Sequence, residues 1–141
     1  MRDAIVNEAK DCLKTPWHHR ACVKGAGFDC VFFLVHVYNK VGLTNIVDAD
    51  IPYYPKDIML HRNSETVLEV VIRYAREVET PLPGDVILWK FGRIYSHAAI
   101  VTNYPEIIHA SRPDGMVLIG DATKGEFVGR ECKYYSMIGI E

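Results

Sequence analysis

The run DCVFFLVHVYNKVGL, residues 29–43, is apolar on nearly every side. A segment like this must be buried all round, so the rest of the chain has to wrap it. Its length favours a helix, since strands usually run four to eight residues. Asp29 suits the N-cap, where its side chain can accept a backbone N–H, and Gly42 suits the position after the C-cap. The β-branched residues lower intrinsic helix propensity, so tertiary packing must hold the element. With 141 residues, of which 49% are hydrophobic, there is enough chain for one domain, 1–141, with a full core. Such a core needs neither disulfides nor metal.

The flanking patterns set the fold class. Residues 3 to about 14 carry Ile5, Ala9, Cys12 and Leu13 at helical spacing, and Thr15-Pro16 ends that helix. The polar stretch WHHRACVKGAG reads as a loop, as does the proline-broken DIPYYPKD. Helical spacing returns from Ser64 to about Val78, with Val67, Leu68, Val71, Ile72 and Ala75 on one side and Ser64 as N-cap. His61, beside Arg62, is expected in a solvent-facing loop. The second half then changes period. PLPGDVILWKFG, SHAAIVTNY, EIIHAS, GMVLIGD and CKYYSMIGIE read as five strands separated by turns. Helices first and strands last predict an α+β fold, with N-terminal helices on an antiparallel sheet of about five strands.

Charge and cysteine usage exclude several functions. The formal net charge of -2 offers no field for nucleic acid, and no polybasic tract addresses a membrane. The charged start MRDAIVNEAKDC lacks the apolar stretch of a secretory leader, which predicts synthesis without one. Cys12, Cys22, Cys30 and Cys132 form no CxxC pair, and free thiols are expected. His18, His19, Cys22 and Cys30 make a poor zinc set, because zinc ligands come as two close pairs and adjacent histidines do not easily meet one ion. No metal and no cofactor are expected.

Cys30 stands where chemistry is possible. A helix N-terminus presents unpaired N–H groups and about half a positive charge, which favour thiolate over thiol. The same N–H groups can hold an oxyanion. The charge of Asp29 opposes thiolate formation, and the balance is left open by sequence. A buried structural cysteine is the plain alternative. A nucleophilic cysteine also needs a base and a group that orients the base. His97, opening the strand HAAIV, and His109, closing EIIHA, fit those roles. In an antiparallel pair their separation of 12 is expected to put them on one face if no bulge intervenes. His36, inside the apolar helix, reads as a core histidine, and Asp85 after Pro83-Gly84 reads as a turn former.

Taken in order, GFDCVFFLV, PGDVILW, SHAAIV and IIHAS resemble the NlpC-type cell-wall peptidases, small papain-like cysteine hydrolases. TPWHHRACVKGAGFDC and CKYYSMIGI are similar to the branch encoded with bacteriophage tail genes. The resemblance implies a papain-like fold and amide hydrolysis in peptidoglycan stem peptides. It implies Cys30 as nucleophile, His97 as general base and His109 as third polar group. It places Trp17, His18, His19, Asp29 and Ser96 on the substrate side. Trp17 stands where many relatives carry a tyrosine, and Val31 is bulky where relatives are small. Peptidoglycan, and phage tail proteins as partners, follow from the same likeness, as does carriage in a particle that acts at the wall. Two other readings stay open: a tail-assembly or wall-binding component with no hydrolysis, and an amidase or acyltransferase on another acyl substrate.

Overall fold

The computed structural model describes residues 1–57 and 65–141. Among the described residues the element order is α1 (Arg2–Asp11), β1 (Cys22–Val23), β2 (Gly27–Phe28), α2 (Cys30–Lys40), α3 (Thr66–Tyr74), β3 (Ala75–Val78), β4 (Val86–Phe91), β5 (Ile94–Asn103), β6 (Glu106–Ser111), β7 (Met116–Asp121) and β8 (Cys132–Met137), with short 3-10 turns at Asp48–Asp50 and Gly125–Phe127. The architecture is α+β, with the helices leading and the sheet following, as the pattern predicts. No described helix is long and apolar enough to cross a membrane.

The central helix α2 forms for the reasons its sequence states. Asp29 accepts the Phe32 N–H at 2.9 Å, capping the first turn. Val31 to Val35, Val37 and Tyr38 are buried. Gly42 (φ +85°) then reverses the chain, and the Leu43 N–H returns to the Tyr38 carbonyl. Around α2 lies the main core, made with Ile5 and Ala9 of α1, Val67, Val70 and Val71 of α3, and one face of the sheet through Ala98, Ile100, Ile108 and Ala110. The other sheet face carries a smaller cluster of Ile87, Trp89, Ala99, Val101 and Ile107, closed over by Phe127.

Six strands form one antiparallel sheet in the order β3-β8-β4-β5-β6-β7, one more than the sequence predicts. The additional strand is β3. The periodicity of residues 64–78 predicts one continuous helix, but α3 stops at Tyr74 and Ala75 is extended (φ −140°, ψ 159°). Ala75 to Val78 pair with Met137 to Tyr134. A long-range ladder supplies what local spacing cannot register. Ile72, expected on the buried side, is 52% exposed, and Val70 takes its place. Ser64, His61 and Arg62 lie outside the described residues. β5 begins at Ile94, earlier than expected, so His97 lies within the strand. The loop at 51–57 is only partly superficial, since Ile51 and Tyr54 are buried while Tyr53 is exposed.

The first loop is pinned at both ends. Trp17 donates its N–H to Gly115, the His18 N–H goes to Phe28, and the Phe28 N–H goes to Pro16. Residues 16–18 thereby bridge β2 and the turn before β7. Asp85 does more than form a turn. Fully buried, its carboxylate accepts from Leu82 N–H, Ser136 Oγ and Arg2 Nη1, tying α1 to the sheet.

Candidate active site

Cys30 is the first residue of α2, and its sulfur meets the backbone of β5 edge-on. The ladder between β5 and β6 runs only from Ile100 to Asn103. Nearer the start of β5 that edge has no β6 partner, and Cys30 fills the gap. The thiol donates to the Ser96 carbonyl at 3.6 Å, and the nearby backbone N–H groups of Ala98, Cys30 and Val31 act on the sulfur to favour its charged form. Opposite Trp89 and Lys90 the register of β5 shifts, leaving Ser96 unpaired as a bulge. The bulge aims the Ser96 carbonyl at the sulfur.

A second shift in β5, between Val101 and Asn103, decides where the histidines point. The hairpin closes on Asn103 and Glu106 with two residues between them. In such a hairpin, facing partners have opposite parity, so His97 and His109 would fall on opposite faces. The extra residue, Thr102, resets the register to Ile100 opposite Ile108. From there, residues of like parity share a face. The expected shared face is found, but a bulge creates it, the reverse of the condition expected from sequence. His97 Nε2 and His109 Nδ1 lie 2.8 Å apart with the rings edge-to-face. That leaves His97 Nδ1 free to address another group.

Trp89, Phe91 and Phe127 pack around the imidazoles. Phe127 stacks at 4.1 Å on Trp89 and contacts both rings. Across the sheet, Gly120 lies under His109, where a Cβ would come within 3.1 Å of Nε2. Burial lowers His97 to about 3, aided by His109, and lowers His109 to about 4, against the opposing charge of Asp114. Burial pushes the Cys30 thiol up to about 12, and the charge of Asp29 adds to this, while the three N–H donors pull the other way. Both directions favour a neutral thiol beside neutral imidazoles, and burial works against the thiolate that the helix N-terminus favours.

Cys30, Ser96 and His97 line one cavity of about 520 Å³, together with Trp17, His19 and Asp29. His109 lies behind His97. Of the residues assigned to the substrate side, His18 is not in this lining. Its ring packs on Gly27, where a Cβ would meet Cδ2 at 2.9 Å, and it leaves the cavity to its neighbour. Asp29 borders the cavity, yet its oxygens serve Phe32 N–H, Arg20 N–H and the Tyr54 hydroxyl, a structural use. Ser96 contributes its carbonyl, and its hydroxyl bonds the Phe91 carbonyl. Trp17 and His19 stand in the cavity wall.

Sequence reasoning missed Trp89, Phe91, Phe127 and Gly120. Trp89 is legible in part, since pairing PGDVILW with SHAAIV places it opposite His97. Phe127 lies in an irregular turn with no periodicity to mark it. All four cysteines are free. Among the described residues the one group of side chains arranged like metal ligands is Glu8, Cys12 and His36, which shares no member with the set weighed for zinc. There Glu8 accepts from Lys24 at 2.8 Å and pairs with His36 at 2.8 Å, which explains the histidine inside α2.

Comparison with models of protein families and with curated proteins finds no match. Solved structures do match. NlpC1 from Trichomonas vaginalis superposes with a TM-score of 0.69 at 17% identity, over 96% of this chain and 43% of that one. An NlpC/P60 family protein from Bacillus cereus gives 0.69 at 22%, over 95% and 39%. The NlpC/p60 domain of the peptidoglycan hydrolase SagA gives 0.64 at 23%, over 97% and 99%. The chain thus spans less than half of the first two proteins and nearly all of the third domain. At these identities the likeness is one of fold: the papain-like α+β architecture of NlpC/P60 proteins.

Proposed function

We propose that the chain is a cysteine hydrolase that cleaves amide bonds in peptidoglycan stem peptides. The observation that carries this reading is the His97–His109 contact at 2.8 Å, with His97 and Cys30 in the lining of one cavity. The NlpC/P60 fold and the peptidoglycan hydrolase among the structural neighbours support the substrate class.

The protonation states define the steps. In the tautomer this mechanism uses, His97 donates Nε2–H to His109 Nδ1, and the Nδ1 lone pair of His97 is the base. As the Cys30 sulfur attacks the carbonyl carbon, its proton passes to His97, so the nucleophile is ionised during attack. The carbonyl oxygen becomes negative beside the N-terminus of α2. The Cys30 and Val31 N–H groups, which already act on the sulfur, are the candidate donors to that oxygen, while the Phe32 N–H is taken by Asp29. His97 returns the proton to the leaving amine. Water, deprotonated by His97, then adds to the thioester, and the sulfur leaves with the proton. His109 holds the tautomer and tilt of His97.

The test is digestion of purified peptidoglycan with mass analysis of the products. Wild-type protein releases fragments with new amine and carboxyl ends. Cys30→Ala releases none, and Cys12→Ala and Cys22→Ala match wild type. His97→Ala lowers kcat by about 10²- to 10⁴-fold, the usual worth of a general base, and His109→Ala lowers it less. Undiminished turnover by Cys30→Ala overturns the mechanism. A folded wild-type protein that releases nothing from any wall preparation leaves a binding component instead. Carriage with phage tail proteins is a further part of the proposal. It rests on the lead-in TPWHHRACVKGAGFDC and the terminal CKYYSMIGI alone, and co-purification with tail particles tests it.

A further inference from the structure

The cavity wall near Trp17 carries two cations, Arg112 and Lys56, that no acid among the described residues pairs with in a salt bridge. Arg112 and Lys56 both line the cavity, and both approach the same indole, at 5.3 and 5.9 Å from its ring centroid. Arg20 and Lys24, the other cations of this region, are committed elsewhere: Arg20 to Asp48 and the Ile51 and Pro52 carbonyls, Lys24 to Glu8. Arg112 is also held in place. Its Nη1 donates to the Lys56 carbonyl at 2.9 Å while the indole supports the guanidinium. The remaining N–H donors of the planar fork stay available for a bidentate acceptor.

The acids of the wall do not neutralise this corner. Asp29 spends its oxygens on Arg20, Phe32 and Tyr54. The charges bearing most on Glu126 are those of Asp114 and Arg130. A separate observation points to a ligand in the same lining. His19 Nε2 is buried and has no hydrogen-bond partner among the described residues. Buried polar atoms are rarely left unpaired.

We propose that the Trp17–Lys56–Arg112 corner is a subsite for an ionised carboxylate on the substrate, a reading that rests on the hydrolase function given above. Stem peptides carry several free carboxyl groups. One of them accepts from the Arg112 fork beside the Lys56 ammonium. The enzyme then selects peptides that keep this carboxyl free and rejects those in which it is amidated.

The experiment uses one stem peptide and a set in which each carboxyl is amidated in turn. Cleavage by wild-type protein and binding to Cys30→Ala protein are measured in parallel. Amidation at one position lowers kcat/KM and raises Kd by roughly tenfold or more, the scale of a charge-assisted hydrogen bond. In Arg112→Gln and in Lys56→Gln that contrast shrinks to about threefold or less. Lys56→Gln leaves the Arg112–carbonyl bond intact, so it reports even if Arg112→Gln disturbs the loop. Equal kcat/KM and equal Kd across the set overturn the subsite while the hydrolase reading stands. Discriminating Kd values without any cleavage keep the subsite and overturn the hydrolase reading. Binding of none of the peptides, or an undiminished contrast in both variants, overturns the subsite.

Discussion

Acidification should unfold this protein through the two imidazoles that its site keeps neutral. His97 is lowered to about 3 and His109 to about 4, from an ordinary value of 6.5, with burial as the main cause. The unfolded chain therefore binds protons near pH 6.5 that the folded chain refuses until about pH 4. Where the unfolded state holds more protons, stability rises with pH, so it is lost as pH falls from about 6.5. The limiting slope is about 1.4 kcal/mol per pH unit for each ring. Between about pH 7 and pH 4.5, each ring removes about 2 kcal/mol, after allowing for water that reaches part of His97. Urea unfolding followed by tryptophan fluorescence, at pH 7, 5.5 and 4.5, measures the loss. Other groups titrate in the same range, so wild type is compared with His97→Asn and His109→Gln, which cannot titrate. Each variant is expected to lose about 2 kcal/mol less than wild type over the interval, whatever its stability at neutral pH. Identical losses in wild type and both variants would show that the imidazoles are charged in the folded protein, and the neutral thiol–imidazole resting state would fall with them.

Two further outcomes follow from single positions. Gly120→Ala pushes a Cβ against His109 Nε2, and the ring must yield by a few tenths of an ångström. Steady-state cleavage should show kcat down by about tenfold with KM and melting temperature little changed, since misplacement of a catalytic group costs rate before it costs binding. Unchanged kcat would remove His109 from the orienting role. Asp85→Ala leaves Arg2 with only Glu141 and the Pro83 carbonyl and removes the acceptor of Ser136 Oγ and Leu82 N–H. Breaking one side of a buried pair should cost about 3 kcal/mol, or a melting temperature lower by roughly 10 °C, with cleavage by the folded fraction intact. A shift below about 2 °C would mean that Arg2 and Ser136 find other partners.

What could be read from sequence was whatever depends on near neighbours. The helix of residues 30–40, its Asp29 cap and Gly42 stop, and the strands from Val86 onward follow from patterns a few residues long. β3 is different, because Ala75 to Val78 become a strand only by pairing with a segment some sixty residues later. The meeting of His97 and His109 was expected for a reason that does not hold. Alternation alone misleads in a two-residue hairpin, and Thr102 corrects it. The ionisation of Cys30 was left open by sequence, where the helix end and the Asp29 charge oppose each other, and burial is what weighs against the thiolate here. The walls from Phe127 and Gly120, and the Glu8–Lys24–His36 network, depend on three-dimensional proximity that no local spacing encodes.

The holder of the sulfur has one property that the imidazoles lack. Ser96 offers a carbonyl and Ala98 an amide hydrogen, and every amino acid except proline brings both. Genetic drift can erase His97 or His109 with one codon, but it cannot remove this cradle without breaking the strand. A chain without either ring would still keep a cysteine-shaped notch in its sheet.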